Sequence, residues 1–156
     1  MEVRTSQVVS LVGAGLLTGN ELCTWAFVHP AAGRLGREAE LTFEQTITRR
    51  MLVPMGVLMT GTVAAVGWAA RQASPAQGGG FRVGRRCYAV MVAVTVVGNM
   101  PLNVATLRAH YDIDPTRWDA TRRWWNRFHL LRNALNVAGL LAVATSARRP
   151  DGKGAD

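Results

Sequence analysis

Apolar and polar positions are sharply segregated along the chain. Met51–Ala70 and Cys87–Leu107 contain no charged residue over about 20 positions, the length a bilayer crossing requires. Val8–Val28 carries one charge, Glu21, and Trp124–Ser146 carries Arg127 and Arg132 near its start and none after. These runs predict an all-α fold, a four-helix transmembrane bundle of up-down topology with spans at about 7–29, 50–70, 85–107 and 124–147. One four-span membrane domain accounts for residues 1–148, and the polar remainder, 149–156, is expected to be a disordered tail.

The first run has the charge and small-residue pattern of a signal peptide, but it is too long and holds Asn20 and Glu21, so it reads as a retained span. Its Gly15-x-x-x-Gly19 spacing would let a neighbouring helix approach closely. A loop is expected from Pro30 to about Arg50, with a helical segment at Glu38–Thr48, and Pro54 is expected in the first turn of span two. Met51, Met55 and Met59 recur at helical spacing, as adaptable packing residues do. Arg71–Arg86, with Pro75 and Gly78-Gly79-Gly80, is expected to be a flexible surface loop.

Polar residues inside the spans are the candidates for chemistry. His129, Arg132, Asn133 and Asn136 are spaced i, i+3, i+4, i+7 on one helix face. Asn99 and Asn103 flank Pro101, which frees a carbonyl near residue 97. In an up-down bundle these residues, with Glu21 and His29 of the first span, converge on the membrane face bearing the 30–50 and 108–123 loops. A charge at mid-bilayer costs roughly 2.5–3.5 kcal/mol on insertion scales, so Glu21 and Arg132 should be paired or hydrated. They form either a structural ion pair with asparagine hydrogen bonds around it, or the wall of a polar pocket. Trp118, Trp124, Trp125 and Tyr111 are expected at the interface, with Trp125 also placed to stack on a flat ligand.

The formal charge of +8 is almost wholly arginine and lies between the apolar runs. Headgroup contact explains it, and no nucleic-acid partner is called for. Lys and Arg are equally numerous on the two sides, and the acid-free glycine segment favours cytoplasmic termini in the cell membrane. Cys23 and Cys87 show no metal or redox spacing and are expected as small buried side chains. Glu21, His29 and His129 lack recognisable metal-ligand spacing, so no metal is assigned.

N-M-P-L-N at 99–103, then Trp118, then W-x-x-x-H-x-x-R at 125–132 resembles the anthrone oxygenase-like family of small four-span membrane proteins. The glycine-rich first span ending near Pro30 fits the same architecture. The resemblance implies oxidation of anthrones to anthraquinones by dioxygen without a bound organic cofactor. It reaches Asn99, Pro101, Asn103, Trp125, His129 and Arg132. On it, His129 removes a proton, Arg132 and Asn103 stabilise the enolate, and Trp125 stacks on the rings. Asn99, Asn133, Glu21 and His29 complete the candidate substrate-binding set, the last two from their depth in the membrane alone.

The function so implied is an oxygenase acting on a small lipophilic aromatic substrate, with dioxygen and the lipid bilayer as its other partners. A non-enzymatic carrier, chaperone or complex subunit is the alternative from another class, and a metal-dependent membrane oxidase is the third.

Overall fold

The computed structural model describes residues 4–149; residues 150–156, which hold most of the expected tail, lie outside them. Four helices make up nearly all of it: α1 (Thr5–Ala32), α2 (Arg37–Gln72), α3 (Pro75–Arg108) and α4 (Pro115–Ala147). All four are long and apolar enough to cross a membrane. Each packs on two neighbours, α1 on α2 and α4, α3 on α2 and α4, which closes a four-helix bundle.

The connections are shorter than the sequence predicts. The expected Pro30–Arg50 loop shrinks to residues 33–36, because Glu38–Thr48 continues into the second span as one helix. Pro54 therefore lies inside α2 and not in its first turn. The Arg71–Arg86 loop is replaced by residues 73 and 74 alone, and the glycine triplet is helical. Pro75 starts α3 at a position where its missing N–H costs nothing. Gly80 of the triplet sits where α3 and α4 touch: a Cβ there would overlap Ser146 Oγ and lie 2.7 Å from the Ala142 carbonyl. Gly84 is equally tight, with Val143 Cγ2 at 2.7 Å. α4 is capped by Asp114, whose Oδ1 accepts from the Thr116 hydroxyl and, at 3.0 Å, from the Arg117 amide.

Antiparallel order is fixed by contacts at both ends. At the terminal end Ser6 Oγ donates to Gln72 Oε1 over 2.7 Å, Gln7 Nε2 to Gln77 Oε1 over 3.2 Å, and Gln77 Nε2 to the Arg149 carbonyl over 2.6 Å. The adjoining half holds the apolar core, with Leu17, Val66, Phe81, Tyr88, Met91 and Val143 fully buried. Outward positions such as Val12, Val53, Val57, Val97 and Leu141 are exposed and apolar. An apolar exterior around hydrogen-bonded helices is what lipid requires.

Two packing expectations fail. A Cβ on Gly15 or Gly19 would meet nothing within 4 Å, so that spacing is not at a helix contact; Gly13 is, with Thr62 Oγ1 at 3.1 Å. Cys23 is exposed and Cys87 half-buried, both free thiols, because neither falls on the inward face of its helix. The aromatic belt also divides: Trp124 and Tyr111 are exposed, whereas Trp118 and Trp125 are buried.

Candidate functional site

Two of the helices that carry residues to the polar end, α1 and α3, widen into a π turn just before a proline. α1 does so at Thr24–Val28, ahead of Pro30, and α3 at Thr95–Asn99, ahead of Pro101. A proline ring clashes with the carbonyl four residues back, and a wider turn moves that carbonyl aside. Each π turn opens on a threonine whose hydroxyl donates to the carbonyl four residues earlier, Thr24 to Asn20 over 2.7 Å and Thr95 to Met91 over 2.9 Å. The two segments share the spacing T-x5-P. π turns recur at functional sites, and these flank the polar end of the bundle.

Glu21 on α1 is buried and meets α4 twice. Arg132 Nη2 donates to its Oε1, and His129 Nε2 lies 3.2 Å from its backbone carbonyl and 3.1 Å from its Oε2. His129 Nδ1 and Arg132 Nε are buried without partners among the described residues. Pairing offsets the cost of holding Glu21 and Arg132 out of water.

A second group of the same composition lies nearer the membrane face. His29 Nδ1 is 2.7 Å from Glu44 Oε1, and Arg122 Nη2 is 2.8 Å from that oxygen. The two Arg–Glu–His groups stand on either side of Trp125, whose ring centroid is 4.2 Å from that of His29 and 4.4 Å from that of His129. Arg122 also lies over the Trp125 ring at 4.9 Å. Trp125 Nε1 donates to Asn103 Oδ1 over 2.8 Å, and the Asn103 amide nitrogen has no hydrogen-bond partner among the described residues.

Beside these groups lies a cavity of about 320 Å³. Glu21, His29, Asn103, Trp125, His129 and Arg132 line it, so six of the eight candidates from the sequence come together. Asn99 and Asn133 do not border it. Asn99 Nδ2 donates to the Trp125 carbonyl over 3.4 Å and Asn133 Nδ2 to the His129 carbonyl over 3.2 Å, both within the helix packing.

The remaining walls are largely apolar and soft, with Asn20 and four threonines among them. Met51 and Met55 of the methionine stripe face the cavity with Met100, and Met59 spans cavity and core. Glu44 and Arg122 were not singled out in the sequence. Arg122 continues the α4 stripe backwards, since 122, 125, 129, 132 and 136 share one helix face. Glu44 falls in the expected helical segment Glu38–Thr48, outside the predicted spans. Among the described residues no group of three or more His, Cys, Asp or Glu side chains is placed to hold a metal ion.

Comparison with curated proteins and with solved structures returns no match. Residues 43–142 match the anthrone oxygenase family, a stretch that carries Glu44, Asn103, Arg122, Trp125, His129 and Arg132 but neither Glu21 nor His29. With that match over most of its length and four helices fit to cross a membrane, the chain belongs to the anthrone oxygenase family as a multi-pass membrane protein.

Proposed function

We propose that the protein is a membrane oxygenase that oxidises a small lipophilic aromatic substrate of the anthrone type with dioxygen. The observation that carries this reading is the cavity: largely methionine and aliphatic walls, a polar end built from Glu21, His29, Asn103, His129 and Arg132, and a volume within the ~300–1,000 Å³ range of small-ligand sites.

An anthrone has an acidic CH₂ between two aryl rings, para to its carbonyl across the central ring. Removal of one proton leaves the electron pair delocalised onto the carbonyl oxygen as an enolate. The carbanion carbon then bonds to dioxygen, the peroxide takes up a proton, and loss of water with the second C–H proton gives the quinone. Carbon loses four electrons and dioxygen gains them.

The chain offers the groups this sequence needs. Asn103 Nδ2 and the Arg132 guanidinium are donors for the enolate oxygen. Trp125 supplies a flat aromatic surface. His129 and His29, each beside a carboxylate, are the candidate proton acceptors.

Membranes containing the protein are expected to form anthraquinone from anthrone, with oxygen uptake, faster than membranes lacking it. Asn103→Ala should slow this by roughly 100-fold, the effect of losing one oxyanion donor. Equal rates with and without the protein, across a panel of anthrones, overturn the proposal.

A further inference from the structure

We infer that His29, rather than His129, is the base of this reaction, held for it by Glu44. The inference rests on the function proposed above and adds the identity of the proton acceptor.

A base must present an unshared pair to the substrate. His129 has no exposed pair to offer. Its Nε2–H is directed at the Glu21 carbonyl 3.2 Å away, and its other nitrogen, Nδ1, is buried and touches no polar partner.

His29 is arranged the opposite way. Nδ1 lies 2.7 Å from Glu44 Oε1, a distance at which a bare nitrogen would set two unshared pairs against each other. Nδ1 therefore carries the proton and donates it to Glu44. Arg122 Nη2, 2.9 Å from that nitrogen, cannot donate to it as well and instead donates to Glu44 over 2.8 Å. The pair on Nε2 is left free. Nε2 has no hydrogen-bond partner among the described residues and is not closed off by burial. Trp125 and His129 make T-shaped contacts with the ring, at centroid distances of 4.2 and 6.0 Å, and neither is hydrogen-bonded to it.

His29 also borders a second opening, a surface cleft between α1 and α4 that it shares with Trp25, Glu40, Arg122 and Asn126. The ring thus borders both the substrate cavity and the surface cleft, so a proton taken up in the cavity has a second way out. In the reaction Nε2 takes the first C–H proton, the electron pair staying on carbon. It returns that proton to the peroxide, then takes the second C–H proton as hydroxide departs and gives it up to form water. Glu44 faces neither the cavity nor the cleft and acts through His29, by fixing its tautomer and balancing the imidazolium.

Deuterium incorporation into the anthrone methylene without oxygen isolates the proton transfer. In D₂O, membranes with the wild-type protein should exceed the rate of membranes lacking it. His29→Gln should lose that excess and quinone formation by about 100-fold or more, while His129→Gln loses less of the exchange. Glu44→Gln should lower kcat about tenfold or more with KM unchanged, and serves alone if His29→Gln fails to fold. Wild-type exchange in His29→Gln, a greater loss in His129→Gln, or an unchanged kcat in Glu44→Gln overturns the assignment of His29. A wild-type protein with neither exchange nor quinone formation overturns the proposed function, and this inference with it.

Discussion

The indole N–H of Trp125 is hydrogen-bonded to Asn103 Oδ1 across 2.8 Å, joining α4 to α3 beside the proline of the third span. The bond fixes which end of the asparagine amide faces the cavity. Trp125→Phe keeps an aromatic surface and frees the amide to turn. The expected result is a loss of about 1 kcal/mol in stability. On the proposed function turnover should fall by about tenfold, since the Asn103 amide is no longer held in place. Thermal denaturation in detergent and anthrone turnover measure the two effects separately.

Gly80 and Gly79 are adjacent and should respond oppositely to alanine. Gly80→Ala drives a methyl group into Ser146 and the Ala142 backbone, and overpacking of that kind costs about 1–3 kcal/mol. Gly79 has nothing within 4 Å of its missing Cβ, so Gly79→Ala is expected to stabilise by up to about 1 kcal/mol through helix propensity. Melting midpoints of the two variants under one detergent condition test the pair.

Glu21 and Arg132 separate structural from chemical roles. Arg132→Leu leaves a buried carboxylate beside His129 and should cost about 3–5 kcal/mol. Glu21→Met combined with Arg132→Leu removes both charges and is expected to restore most of that stability. Turnover should stay low in the double variant. Recovery of turnover along with stability would make the pair a structural device only.

Asp114 gives a pH dependence outside the membrane. The Thr116 hydroxyl, then the Arg117 amide, hold its carboxyl below the usual aspartate range. A carboxyl lowered in the folded state contributes its full stabilisation above the unfolded value and loses it as pH falls through the lowered folded value. Hydrogen exchange at the Arg117 amide should therefore be protected at neutral pH and lose protection in acid. Asp114→Ala should lack that protection at every pH.

Much of this architecture is legible in the sequence because lipid imposes a strict pattern. Charge-free runs mark the spans, and the i, i+3, i+4, i+7 stripe from His129 to Asn136 marks the inward face of α4. Depth in the bundle is enough to bring Glu21 and His29 to the same cavity as Asn103, Trp125, His129 and Arg132. Local composition misleads where tertiary contact overrides it. Gly78-Gly79-Gly80 carries a turn signal, yet Gly80 serves helix contact with Ser146. Glu44 looks solvated among charged neighbours, yet it is buried against His29 and Arg122. The π turns depend on a six-residue spacing from threonine to proline, too short to stand out as a repeat.

Methionines 51, 55, 59 and 100 give the cavity wall a further property. Thioethers are oxidised by peroxides to sulfoxides, which are polar and chiral. A protein that forms a hydroperoxide beside these side chains would keep a chemical record of its own turnover. Peptide mapping after extended reaction with anthrone in air should find sulfoxide on Met51, Met55 and Met100, and none on the fully buried Met91. Each such lesion would wet a lipophilic wall, so the number of catalytic cycles would be finite, and a reductase able to reach the sulfoxides would lengthen the working life of the protein.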